Sequence, residues 1–500
     1  MQRRKTSVVA ALAGVLALAG CTPGPTYKQP AAVVPPAFKE QPPADFKEAQ
    51  GWKQAQPNDG QLKGKWWEIY NDSDLNALEE QVAIDNQNVL QAEAQYREAV
   101  AAVKIVRSGL YPSVSSAPSI TESRTGASAG VPGGMRSSFS LPISASWEPD
   151  LWGNIRRSVT AAAAQAQASA ADLENARLLY QSELAQDYFA LHGLDRDIDL
   201  LTGTVKSYSE YLDLTHNRFA GGIASDLDVA QAEAQLYAAQ TQLVDFGVTR
   251  AQLEHAIAVL AGKPPAAVTV AARSLTATPP PVPIALPSML LERRPDIAAN
   301  ERLAAAANEQ IGIADAAFFP ALTLAATAGF EASRITTWLS WPSRFFSVGP
   351  TLAETIFDAG RRRAQVTQNL AAYDAAVAAY RQTVLTAFQQ VEDSLSTLRV
   401  LADESVVADQ SVKSARRALD VSTAQYKAGT TAYLTVLTAQ GTALAAERTQ
   451  IDLMTRRLEA SVQLMVNLGG GWDTSQLPTR PDVVKTASPP QPPILPAKSQ

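Results

Sequence analysis

Among its 500 residues the chain has a single cysteine, Cys21, so it can form no internal disulfide. It has three histidines, His192, His216 and His255, without metal-ligand spacing, and neither a phosphate-cradling loop nor a nucleophile motif. Catalysis, a metal and a cofactor all lack support. Aromatic residues make up 7% of a chain that is 46% apolar, with alanine supplying much of the excess. That composition suits long, closely packed helices better than a bulky core. The formal charge is -6 and there is no basic tract, which argues against nucleic acid. The longest apolar run, Val8 to Leu18, is too short to span a bilayer comfortably as a helix. If the chain crosses a membrane, it must do so with strands.

Arg3, Arg4 and Lys5 precede that run, which ends in Leu18, Ala19, Gly20 and Cys21. The pattern predicts a lipoprotein signal peptide over 1–20 and lipidation at Cys21. Thr22 follows, so no aspartate is there to suggest retention at a bacterial inner membrane. Removing the signal takes away three positive charges and moves the balance to about -9. Residues 21–60, rich in proline, glutamine and alanine, read as an extended tether that ends before Trp66 and Trp67.

Two structural copies follow, over 61–262 and 290–470, joined by a proline-rich linker over 263–289. In the first, apolar residues from Leu75 to Val100 keep helical spacing from Asp74 to about Arg107, and Pro112 breaks the helix. A weakly patterned strand over about 113–121 and a strong one over 138–147 follow. In the strong strand Phe139, Leu141, Ile143, Ala145 and Trp147 alternate with serines, giving one greasy face. From Leu151 to about Asn217 no proline interrupts an alanine-rich helix, about 100 Å long at 1.5 Å per residue. The second copy repeats this order, with Leu322, Leu324, Ala328 and Phe330 in one strand and Phe346, Val348 and Leu352 in the next.

The helices of the copies share a frame. Leu227, Ala230, Ala234, Tyr237, Thr241 and Val244 alternate spacings of three and four, as do Leu434, Leu437, Gly441, Leu444, Arg448 and Ile451, each 207 positions later. A sustained 3.5-residue period implies left-handed supercoiling. Each long helix turns back at a glycine-bearing hairpin, where Gly222 and Gly429 correspond at the same offset, at the end farthest from the strands. The tail over 471–500 is again proline-rich and is expected to be disordered. Arg156, Arg157 and Arg361 to Arg363 open helices, where the macrodipole disfavours positive charge. They are either lipid-phosphate contacts below a barrel or ordinary solvated arginines.

The lipobox, the duplicated strand pair, the segment from Leu290 to Ile297 and the paired hairpins together resemble the outer-membrane lipoprotein channels of resistance-nodulation-division efflux systems, in the TolC-like family. The likeness covers about Trp66 to Leu468. It implies an α-helical barrel on a transmembrane β-barrel, in which four strands from each chain of a homotrimer close twelve, and the helices form a periplasmic coiled-coil tunnel. Four strands alone cannot close a membrane barrel, and the residues leave open whether two or three chains pool them.

The resemblance also implies a passive efflux duct rather than an enzyme, working with a periplasmic adaptor and an inner-membrane pump. It places adaptor docking at Gly222, Ile223, Ala224, Gly429, Thr430 and Thr431, and a periplasmic constriction near Asp226, Asp228, Tyr426, Leu434 and Thr438, with Asp228 and Tyr426 as latch. The sequence departs from the pattern at Thr435 and Thr438, where relatives often carry aspartate. Asp226 and Asp228 also suit the first turn of a helix on electrostatic grounds alone. Competing readings are a protein-secretion duct of the same architecture and a helical lipoprotein that merely tethers membranes, which would have no need of greasy-faced strands.

Overall fold

The structure is a computed structural model that describes residues 23–40, 65–126, 133–275, 278–280 and 290–485. Cys21 and the signal-like run lie outside the described residues, as does the region from 41 to 64. The first copy contains α1 (Ser73–Asp85), α2 (Gln87–Ser108), β1 (Ser113–Ser116), β2 (Ser119–Thr125), β3 (Gly134–Trp147), α3 (Asn154–Ala220) and α4 (Asp226–Leu260). The second contains α5 (Pro295–Ala316), β4 (Ala321–Ala332), β5 (Arg344–Ala353), α6 (Arg361–Lys427) and α7 (Tyr433–Asn467), and α8 (Arg480–Lys485) comes after it.

α3 and α6 each run for 67 residues, and α4 and α7 for 35. Their unbroken course follows from alanine-rich composition without proline. The helix read from Asp74 to Arg107 is in fact two, broken at Asn86. Its side-chain oxygen accepts from Asn88 and Val89 backbone N–H groups, and its amide donates to the Leu260 carbonyl at 2.8 Å. A cap at the head of α2 and a bond to the end of α4 together outweigh continuing one helix.

The strands form one antiparallel sheet in which β3 of the first copy pairs with β4 of the second. β1 and β2 run along the same edge of β3, so five segments occupy four positions across the sheet. Pro118 lies in the gap between them and has no N–H to give the ladder. Register puts Ile143 opposite Ala328, which lies opposite Phe346. By alternation one face therefore carries Val114, Ile120, Phe139, Leu141, Val348 and Leu352, while the other is mostly serine, threonine and glycine, with Pro142, Glu331 and Phe345 among them. Ser144 and Thr327 hydroxyls meet across that polar face at 3.2 Å.

Below the sheet, Asp150 accepts from the backbone N–H groups of Ile155 and Arg156 and pairs with the Arg156 side chain at 2.9 Å. Asp358 does the same for Arg362, at 2.7 Å. Arg157 is half-buried against Glu309 at 2.8 Å and donates to the Gly24 and Pro25 carbonyls. These partners offset the unfavourable macrodipole at Arg156, Arg157 and Arg362. Arg361 and Arg363 remain exposed. Trp152 stacks on Phe319, whereas Phe357 is exposed.

Midway along the long helices, Trp66, Tyr188, Tyr380, Phe388, Leu458 and Val462 meet in the largest core. The stretch 23–40 lacks regular structure but is no free tether. The Tyr27 hydroxyl donates to Glu301, and the backbone N–H groups of Lys39 and Glu40 donate to the Glu392 carboxylate. The tail residues 471–485 are likewise packed on the fold: Trp472 is buried, Gln167 donates to the Pro478 carbonyl, and Val483 is fully buried among Val100, Val103 and Val159. The start of the linker is pinned by a buried polar knot. There Asp195 accepts from Arg250 and from the Arg273 backbone, and the packed ring of His192 meets both Asp195 and the Arg273 carbonyl.

Candidate functional site: the hairpin tips

Both long helices end in the same way. Gly222 has φ 72° and Gly429 φ 77°, the left-handed conformation that favours glycine. The Ile223 N–H reaches back to the Arg218 carbonyl at 2.8 Å and the Thr430 N–H to the Gln425 carbonyl at 2.9 Å, closing two Schellman-type caps. Gly222, Ile223, Gly429 and Thr430 are thereby exposed at the tips, while Ala224 and Thr431 are half-buried beside them. Ile223 and Leu434 present apolar side chains to the outside, and Phe219 and Leu227 flank them.

The return helices start differently. Ser225 and Asp228 form a capping box: the Asp228 carboxylate accepts from the Ser225 backbone and hydroxyl, both at 2.9 Å, and the Ser225 oxygen accepts from the Asp228 N–H. The positions 207 later are Ala432 and Thr435, and α7 has no side-chain cap. The hydroxyl of Thr435 instead meets that of Thr431 at 3.2 Å, and Thr438 donates to the Leu434 carbonyl. Asp226 is exposed in the first turn of α4.

Tyr426 is buried between the hairpins, with the Arg218 guanidinium 4.5 Å above its ring and the Tyr433 ring 5.5 Å away. Arg218 also donates to the Tyr426 carbonyl at 2.6 Å, and the Tyr211 hydroxyl meets that of Thr423 at 2.7 Å. Burial, reinforced by Tyr426 and other tyrosines and by the Asp228 carboxylate, pushes the Tyr433 hydroxyl up to about 12. It stays protonated at neutral pH. Within one chain Asp228 and Tyr426 do not bond to each other; the first serves the capping box, and the hydroxyl of the second is buried without a partner.

Sequence reasoning missed Arg218, the residue that ties the first hairpin to the second. The available signal was a cation in the last turn of a helix, where the dipole and free carbonyls favour it, at a position occupied by Gln425 in the other copy.

A sheet with one greasy face, mounted on long paired helices that end in bare hairpins, is the build of a channel of the bacterial outer membrane. The comparisons agree. The profile described as "Outer membrane efflux protein" matches residues 78–263 and 286–470, and the chain belongs to that family. It is 32% identical to the outer membrane protein OprJ of Pseudomonas aeruginosa over 94% of this chain and 97% of that one. It is 31% identical to the pyoverdine export outer membrane protein OpmQ of the same species, over 82% and 88% respectively. Among solved structures, the outer-membrane channel OprN superposes with a TM-score of 0.82 at 31% identity, over 90% of this chain and all of that one. The Campylobacter jejuni channel CmeC has the same fold, with a TM-score of 0.82 at 22% identity. The protein is an outer-membrane efflux channel.

Proposed function

We propose that the channel is a passive homotrimeric duct, lipid-anchored at Cys21, that carries small molecules from the periplasm to the exterior. An inner-membrane resistance-nodulation-division pump would supply the energy and a periplasmic adaptor would grip the hairpin tips. The observation that carries this reading is the sheet. Phe346, Val348 and Leu352 on its greasy face are 82%, 75% and 68% exposed, a surface that belongs in hydrocarbon. Its edges, β1 with β2 on one side and β5 on the other, have no partner among the described residues of the chain, and an open edge is not tolerated in lipid. Four strand positions per chain reach about twelve when three chains pool them, within the range of outer-membrane barrels.

Small molecules are favoured as cargo because relatives are named for pyoverdine export and for toluene efflux. The exposed tips at Gly222, Ile223, Ala224, Gly429, Thr430 and Thr431 suit docking by a helical partner, and Asp226, Asp228, Tyr426, Leu434 and Thr438 surround the narrow end. The test is the native mass of the purified protein corrected for bound detergent, measured beside its conductance in planar bilayers. Three chains per conducting particle are expected; a monomer that conducts alone overturns the strand pooling.

A further inference from the structure

Between the two hairpins of one chain, above the Tyr211–Thr423 contact, lies a cavity of about 580 Å³ bounded by α3, α6 and α7. Its volume is that of a small-molecule site. Gln440 lines it and is 3% exposed, yet neither its side-chain oxygen nor its nitrogen has a hydrogen-bond partner in the fold. A buried amide with both ends unmet calls for a bound group that can donate and accept. The wall also carries Tyr208 and Tyr211 and the acidic residues Asp199, Asp420 and Glu447, with no lysine or arginine among its lining residues. Asp199 is engaged by the Ser274 hydroxyl and Glu447 by Arg416 from outside the cavity. Among the described residues Asp420 has no ion pair.

We propose that this cavity is a binding site for an aromatic organic cation bearing N–H or O–H groups. Its ring would lie against the tyrosines, where their faces attract cations, its charge would lie by Asp420, and its polar substituents would meet the Gln440 amide. Gly203 opens the wall. It sits within α3, where glycine is costly, and a Cβ built on it meets nothing within 4 Å. The occupant touches both hairpins, so occupancy is sensitive to their relative position. Binding here does not depend on conduction, so failure of this inference and failure of the duct reading are separate results.

The test is ethidium anisotropy with the full-length protein in lipid nanodiscs, corrected with empty nanodiscs. Saturable binding is expected for the parent and for Gly203→Ala. Gly203→Phe, which adds a ring at the cavity wall, should weaken binding by tenfold or more, and Asp420→Asn, an exposed change that spares packing, by about threefold to tenfold. Circular dichroism checks that Gly203→Phe keeps its helix content; if it does not, Asp420→Asn and Gln440→Leu decide. The proposal is overturned if the parent shows no saturable binding, which would leave the cavity to water. It is equally overturned if Asp420→Asn, Gln440→Leu and a folded Gly203→Phe all bind as the parent does.

Discussion

Replacing Glu79 by glutamine should stabilise the protein at neutral pH and remove a pH dependence of its stability. Glu79 lies on α1 with no exposed surface, and both carboxylate oxygens lack a hydrogen-bond partner. Burial holds its carboxyl well above the usual carboxylate range, because the charged form would lose its hydration with nothing in return. The folded chain therefore keeps a proton that the unfolded chain releases at about pH 4.3. Stability from this residue is fully present below that pH. It falls by about 1.4 kcal/mol for each unit above it while the folded carboxyl remains protonated, then levels off once the folded group ionises. Glutamine has no proton to lose, so its curve lacks this slope.

The measurement is the denaturant midpoint followed by helix circular dichroism in detergent, for parent and Glu79→Gln, in pH steps from 4 to 8. The gap should open in favour of the variant as pH rises. A gap that stays constant, or opens the other way, means that Glu79 is already ionised in the fold and refutes the reasoning.

Asn86→Ala should lower the unfolding free energy from the same curves by about 1–3 kcal/mol through loss of the α2 cap and of the donor to Leu260, and Asn86→Asp, which keeps the cap but turns a buried acceptor towards the Leu260 carbonyl, should not restore it. Cys21→Ser should abolish fatty-acid labelling and release the mature protein from its anchor with its helical fold intact; equal labelling of the variant would refute lipidation there. If neighbouring chains close the duct through Asp228 and Tyr426, then Asp228→Ala and Tyr426→Phe should each raise single-channel conductance, and the double variant should add little. Tyr426→Phe is the cleaner change, since it keeps the ring under Arg218 and deletes only the unpartnered hydroxyl. Parental conductance in both variants would move the constriction to Leu434.

The parts of the fold legible in the sequence were those governed by local periodicity. Serines alternating with Phe139, Leu141 and Ile143 gave the sheet its two faces, an absence of proline gave α3 and α6 their length, and Gly222 and Gly429 marked the turns because only glycine takes that φ readily. What escaped was set by distant partners. Asn86 breaks a helical pattern for the sake of Leu260, far along the chain. Composition said that 23–40 would be irregular, but not that Glu392 would accept its backbone N–H groups. Arg218 drew no reading until the second hairpin placed Tyr426 beneath it. The capping box at Ser225 and Asp228 escaped the sequence reading, in which Asp228 is a latch or a first-turn acid, and its absence at Ala432 and Thr435 explains why the two tips, alike in their glycines, begin their return helices differently.

The extended segments at either end of the described chain cross over. Residues 23–40 are bonded to α5 and α6 of the second copy, while Trp472 to Lys485 cover α2 and α3 of the first. During synthesis the amino-terminal copy emerges long before the helix turn that buries Val483 against it, and the early strap waits just as long for its own helices. Each half is thus finished by material from the other. A chain cut short before Thr479 would retain every strand and both hairpins, yet leave Val100, Val103 and Val159 uncovered for a chaperone or protease to find. The short last helix, Arg480–Lys485, is therefore what completes the packing of the first copy.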